Sequence, residues 1–376
     1  MKIALSDNRK HLNFAPLTLT KPVAELRMGI LTNTERWKKY CPEDEFSYVT
    51  ENYLEGKYPS DEVDLTVCAN VIANEELVAA LKNLESGQVL YVGEHLLGYT
   101  DLNGERVEYK GDFPVILNER WDLYQKNDLV LKHDFNLITE GRTSQELSET
   151  NLLIGEESQL FIEEGAVIDG AIINTKSGPV YVGRGAEIME GSLVRGGLAM
   201  CEGAALKLGT KVYGATTLGP HCKVGGEVNN VIFQAYSNKG HDGFLGNSLI
   251  GEWCNLGADT NTSNLKNNYG NVRTYCYAEG KEVETNIQFM GLTMGDHSKC
   301  GINTMFNTAT VVGVSVNIYG AGFPAKYVPS FSWGDAEGTT TFQFDKAIEY
   351  SNKMMERRGQ QLSSDEVEIL RVISEQ

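Results

Sequence analysis

His241 has the setting of a group that could do acid–base work. It lies in Ser237-Asn238-Lys239-Gly240-His241-Asp242-Gly243-Phe244-Leu245-Gly246 and is one of only 6 histidines in the chain. A coil rich in small residues follows directly, Asn255-Leu256-Gly257-Ala258. An imidazole titrates close to neutrality, at about 6.5 when unperturbed, so it can take a proton from an attacking amine or hydroxyl and pass it on. A lone His beside Gly also fits a hydrogen-bonded turn, and its surroundings must decide. A second polar stretch, Asn261-Thr262-Ser263-Asn264-Leu265-Lys266-Asn267-Asn268-Tyr269-Gly270, is unusually rich in Asn. His297, in Gly295-Asp296-His297-Ser298, reads as a corner residue bonded locally.

Both polar stretches interrupt a repeat, and the repeat says what must position them. Val182, Ile188, Val194, Met200, Leu206, Val212, Leu218 and Val224 stand six apart without a slip. Four residues after each comes a mostly small residue, and Gly183, Gly219 and Gly225 directly follow an aliphatic. The ladder returns as Met294, Cys300, Phe306, Val312 and Ile318. A period of six fits neither a helix nor an amphipathic strand. It predicts a left-handed parallel β-helix, a triangular prism with aliphatics inside and small residues at the corners. The prism is expected to start near Ile154, break at about residue 232, resume through Ile250 and Leu256, break again at 261–290 and finish near Pro324. Loops leaving a rigid solenoid are where function tends to sit.

The flanks differ in kind. Residues 1–130 alternate strand and helix signals, such as Lys2-Ile3-Ala4-Leu5, a helix at 34–40, Asp64-Leu65-Thr66-Val67-Cys68-Ala69, a helix at 75–84 and Gly87–Gly93. This predicts an α/β domain on a parallel, Rossmann-like sheet covered on both faces. Residues 131–150, including Ser144–Leu147, read as a helical linker, 151–330 as the prism and 331–376 as a helical tail. In that tail Ser363-Ser364-Asp365-Glu366 offers caps.

A net charge of −18 disfavours nucleic acid and anionic membranes as partners. The 7 scattered cysteines suggest neither a disulfide framework nor a zinc site, and point to the cytoplasm. The N-terminus lacks the apolar stretch of a signal peptide, and no run reaches the length of a membrane span.

Gly240-His241, Phe244-Leu245-Gly246 and Asn255-Leu256-Gly257-Ala258 together resemble the acetyltransferase half of the bifunctional glucosamine-1-phosphate N-acetyltransferase/N-acetylglucosamine-1-phosphate uridyltransferase family, the GlmU type. The resemblance implies His241 as the base that deprotonates the sugar amine. It implies Asn255, Phe244 and Asn264 as residues that position the sugar, and Lys211 as a grip on its phosphate. Phe244 stands where the family has Tyr and so lacks a hydroxyl. Asn229 takes a second basic position, for which Lys239, Lys266 and Lys299 are candidate substitutes; each could equally be a solvated surface lysine. Gly320-Ala321-Gly322-Phe323-Pro324-Ala325-Lys326 resembles the closing motif of hexapeptide-repeat acyltransferases. That implies acetyl-CoA as co-substrate, bound along Ala258, Asn303, Gly320 and Lys326, and by family habit a homotrimer.

The N-terminal half is similar to a shortened sugar nucleotidyltransferase. It carries Pro16-Leu17-Thr18-Leu19-Thr20-Lys21-Pro22, but Asp7-Asn8-Arg9-Lys10 replaces the glycine-rich phosphate loop. The resemblance makes Lys21 and Arg27 the candidates for nucleotide phosphates. Asn118, with Asn70, becomes the candidate holder of Mg2+ for UTP or dTTP. Three readings follow: acetyl transfer to glucosamine-1-phosphate with uridylyl transfer retained or reduced; sugar-1-phosphate nucleotidyl transfer alone (glucose-1-phosphate thymidylyltransferase-like), with the prism as trimerisation scaffold; or a β-helix that only assembles.

Overall fold

A computed structural model describes residues 1–376. The N-terminal region is built on a six-stranded sheet ordered Glu45–Val49, Lys2–Ser6, Leu65–Cys68, His95–Tyr99, Gln88–Val92, Glu105–Glu108. The first three strands are parallel; His95–Tyr99 runs antiparallel to both of its neighbours. The sheet is therefore mixed and not parallel throughout. The reason is local: only Gly93 and Glu94 separate Gln88–Val92 from His95–Tyr99, and so short a link can only reverse the chain.

Helix Asn33–Tyr40 starts where Thr32 and Glu35 form a reciprocal capping box. It is tied to helix Asn127–Thr139 by a fully buried ion pair, Arg36–Asp134 at 2.6 Å. Residues 144–147, expected to be helical, form no helix. Instead Ser144 Oγ and the Gln145 backbone bond to the first coil at Ile162. Those bonds hold the segment extended along the solenoid.

From Leu152 the chain winds into the left-handed β-helix, each face a stack of short parallel strands. The first face holds Leu152–Ile154, Ile172–Asn174, Leu193–Arg195 and Lys211–Tyr213. It continues with the starts of Glu227–Phe233 and Phe244–Ile250. The second face takes the ends of those two long strands, together with Leu198–Met200, Thr216–Leu218 and Thr293–Met294. The third runs from Val167–Ile168 through Lys223–Val224, Asn238–Lys239, Asn255–Leu256 and Lys299–Cys300 to Ser332–Asp335. The six-residue aliphatics form one continuous core inside the prism. Corner glycines are needed because the coils stack so closely: a Cβ on Gly219 would run into the Gln234 carbonyl.

The expected first break is not a break. The coil shortens but continues, with Lys223↔Asn238 and Val224↔Lys239 in parallel register. Phe233, Lys239 and Leu245 stay six apart, and Lys239 takes an inward place that a hydrophobic search passes over. The second excursion is real. It carries an antiparallel hairpin, Arg273–Cys276 with Lys281–Glu284. The strand Tyr327–Val328 and the first strand of the closing hairpin extend the solenoid beyond Pro324.

The three faces have different fates. Outward Ile232 and Leu249 of the second face belong to the N-terminal core, and Thr217 Oγ1 donates to the Gly29 carbonyl at 2.6 Å. Helices Phe344–Glu356 and Ser364–Ser374, the latter with the expected Ser363–Glu366 capping box, cover the corner between the second and third faces around Trp253, Val314 and Phe331. The first face is left uncovered at its start, with Leu152, Ile172 and Leu193 aligned and exposed. No helix is long and apolar enough to cross a membrane.

Candidate functional site

His241 sits on the corner between the third and first faces, exposed, with its imidazole bonded to no protein group. The coil above brings Ala258–Asp259 over it, since Asp259 N–H donates to the Asp242 carbonyl at 3.1 Å. The next coil brings Ile302–Asn303, with Asn303 N–H donating to the Ala258 carbonyl at 2.8 Å. Gly320, at positive φ, follows on the coil beyond. Three of the residues expected along the acyl-CoA path thus stack on the His241 corner. Lys326 does not join them: it is half-buried and donates to the Arg273 carbonyl at 2.9 Å, against the inserted hairpin.

Around the corner, on the first face, Phe244 N–H donates to Asn261 Oδ1 at 2.9 Å. Asn261 in turn bonds Asp259. Asn264 arrives from the inserted loop and donates through Nδ2 to Asn247 Oδ1 at 2.8 Å. Lys211 is exposed on the same face, in the row Lys211–Glu227–Phe244. Tyr213 donates to Glu227 at 2.6 Å, so this carboxylate is engaged with a partner other than Lys211. Asn255 lies on the other side of the corner, between Asn238 and Lys299 on the third face. Lys266 is farther out, donating to Asn271 O. Phe244 and Lys211 therefore share the first face, Asn264 reaches it at Asn247, His241 stands on the adjoining corner, Asn255 lies on the third face and Lys266 stands apart. Asn261 and Asn247 were not anticipated, although Asn261 opens the Asn-rich stretch.

Of the three substitute lysines, Lys239 and Lys299 are engaged with main-chain carbonyls. Lys239 is 1% exposed, and burial lowers it to about 8, with Asp242 and Asp259 partly opposing. Its Nζ bonds three main-chain carbonyls. Lys299 is likewise lowered by burial to about 8 and donates to His297 O at 2.9 Å. His297 itself is buried, with Nδ1 unpartnered, and burial together with Lys299 pushes it down to about 3. It is a neutral corner residue, although it lacks the local side-chain bond that was expected.

The N-terminal candidates are consumed internally. Lys21 is buried, pairs with Glu252 and lies 3.1 Å from Asp296, both carboxylates from the solenoid. Burial works to lower its pKa, but Asp296 and Glu252 raise it on balance. Arg27 is buried and gripped by both Glu35 oxygens at 2.8 and 2.9 Å. Both still line a small cavity, shared with Glu25, Glu35, Tyr58 and Glu252. The sequence could not show the pairing, because the carboxylates that hold Lys21 lie in a different part of the chain.

Asn70 and Asn118 do come together at the carboxyl end of Leu65–Cys68, where Leu117 N–H donates to Asn70 O. However, Asn70 Nδ2 donates to Leu117 O at 2.8 Å, and its Oδ1 accepts from Asn8 at 3.4 Å. The neighbouring Asp122 Oδ2 accepts two backbone N–H groups. Mg2+ asks for free, mostly anionic oxygens in octahedral array. The Asn70 and Asp122 oxygens nearest this strand end thus already accept protein hydrogen bonds.

Residues 3–143 match the sugar nucleotidyl transferase family. A stretch of 87 residues is 33% identical to the bifunctional protein GlmU of Methanocaldococcus jannaschii, covering 23% of this chain and 21% of that protein. The chain thus matches about a fifth of the length of this curated relative. Among solved structures, the N-acyltransferase AntD from Bacillus cereus, in complex with dTDP and 3-hydroxybutyryl-CoA, aligns at 11% identity over 58% of this chain and 100% of its own, TM-score 0.24. The UDP-N-acetylglucosamine O-acyltransferase LpxA of Moraxella catarrhalis aligns at 14% over 58% and 79%, TM-score 0.22.

Proposed function

We propose that the chain is a sugar-phosphate acyltransferase that moves an acetyl group from acetyl-CoA to the amine of an amino-sugar phosphate, with glucosamine-1-phosphate as the leading acceptor. The observation that carries this reading is the exposed, unpaired imidazole of His241 on a solenoid corner, beside the first face that carries Phe244 and Lys211 and that Asn264 joins at Asn247. The amine nitrogen attacks the thioester carbon as its proton passes to the His241 imidazole. The tetrahedral intermediate then collapses, the C–S bond breaks, and CoA leaves as thiol on taking up a proton. Asn255 and Asn264 orient the sugar, and Lys211 supplies the point charge for its phosphate. The exposed Leu152–Ile172–Leu193 row favours a homotrimer closed through the uncovered first face. Seven free, buried cysteines suit a reducing, cytoplasmic setting.

A second reading, nucleotidyl transfer from UTP or dTTP, is favoured by the family match over residues 3–143. The internal pairing of Lys21 and Arg27 weighs against it.

The test is CoA release from acetyl-CoA and glucosamine-1-phosphate by wild type and His241→Ala, followed with a thiol reagent. A parallel arm measures pyrophosphate release from UTP or dTTP with sugar-1-phosphate. Release that drops by about a hundredfold or more in the variant supports the first reading. Pyrophosphate without His241-dependent CoA release would replace it with the second.

A further inference from the structure

The place of Lys239 inside the prism makes it part of the His241 corner. The strand Asn238–Lys239 pairs with Lys223–Val224 below, and Asn238 pairs with Asn255 above. Lys239 thus falls in the inward row whose neighbours are Val224 and Leu256, both sealed in the core. An ammonium in an apolar row is costly unless every donor is satisfied. Here the three donors meet three carbonyls: Gly225 O at 3.1 Å, His241 O at 3.0 Å and Asp242 O at 3.3 Å. Two of the three acceptors are the main-chain oxygens of the candidate base and of the residue after it. The third lies one coil below. Asp242 O keeps a second donor, Asp259 N–H, whereas His241 O has no main-chain donor. On its other side the turn is held by Glu227 N–H, which donates to the Gly243 carbonyl at 3.1 Å.

We propose that Lys239 is the positioning residue of this corner, an ammonium clamp that pins the His241–Asp242 main chain to the coil below and so aims the imidazole at the first face. This rests on the acyltransferase reading for its consequence in turnover, while the clamp itself is a statement about the turn. An aliphatic in this row would serve the core equally well, as Val224 and Leu256 do, and would leave the His241 carbonyl without its donor. The lysine is therefore accounted for by the turn and not by the prism.

The experiment compares Lys239→Met, His241→Ala and the double variant by hydrogen exchange and by acetyl-CoA turnover. Methionine matches the stem of lysine without its donors. In Lys239→Met, amide exchange over 241–244 is expected to rise about tenfold while the coils at Leu206 and Leu218 keep their protection. The kcat is expected to fall about 10- to 100-fold, the cost of a misplaced base, with the KM for acetyl-CoA within about threefold. The double variant should be no slower than His241→Ala, because both changes disable the same group.

Unchanged exchange and kcat in Lys239→Met overturn the proposal. So does a loss of protection spread along the whole solenoid, or a further loss of turnover in the double variant. If Lys239→Met does not fold, Lys239→Gln, which keeps donors on a shorter stem, takes its place and should give the same localised exchange at smaller amplitude. If wild type shows no His241-dependent CoA release, the acetyl-transfer reading fails, and the exchange measurement still decides the clamp.

Discussion

Two parts of the molecule carry residues suited to phosphate or acyl chemistry, and they treat those residues in opposite ways. Around the N-terminal sheet the cations are spent on structure: Lys21 on Glu252 and Asp296, Arg27 on Glu35, Arg36 on Asp134. At the corner between the third and first solenoid faces, the polar groups below the surface bond one another, and His241 is left free above them. The difference teaches that residue type marks a candidate, while the partners in space decide availability. A buried charge is tolerable only when a counter-ion or a full set of hydrogen bonds satisfies it, and groups so engaged are less available to a ligand.

The comparison breaks most clearly at Lys21. Lys21→Met leaves the buried Asp296 without its ion-pair partner, held only by Thr20 and the Glu252 N–H, and should cost about 3 kcal/mol of stability in urea unfolding, with acetyl transfer per folded molecule unchanged. Loss of pyrophosphate release at unchanged stability would instead put Lys21 in a working nucleotide site.

His297 sharpens the contrast from the solenoid side. It is held neutral, about 3 against an ordinary 6.5, so the unfolded chain binds the extra proton. Its contribution is whole above pH about 6.5 and falls away as pH drops toward 3, by up to a few kcal/mol. His297→Asn tolerates the positive φ at this position and should flatten that stretch of the stability–pH curve, read by denaturant midpoints. Asn264→Ala removes one polar contact at the site. It should lower kcat/KM about tenfold without moving the thermal midpoint. The smallest effect is expected from Phe244→Tyr, which adds a hydroxyl on a half-exposed ring: kcat/KM should change by no more than about threefold.

The ladder from Val182 to Val224 made the prism legible, because a period of six has few other solutions and each inward aliphatic is repeated evidence. In the flanks the short strands and the helices were legible from local signals, and so was the Ser363–Glu366 cap, whereas the Thr32–Glu35 cap was not. His241 was legible as a candidate through its neighbours in sequence.

What sequence alone could not supply was every relation between distant coils. The shortened coil hid Lys239 in the core row, since its charge hid the ladder that Phe233 and Leu245 continue. The turn between Val92 and His95 set an antiparallel strand where alternating elements suggested a parallel one. By itself the sequence determined the solenoid, because inward packing there depends on residues a fixed count apart. Only the tertiary structure decided which charges remain free, because the partner of Lys21 lies more than two hundred residues away and burial fixes the cost of leaving either one unpaired.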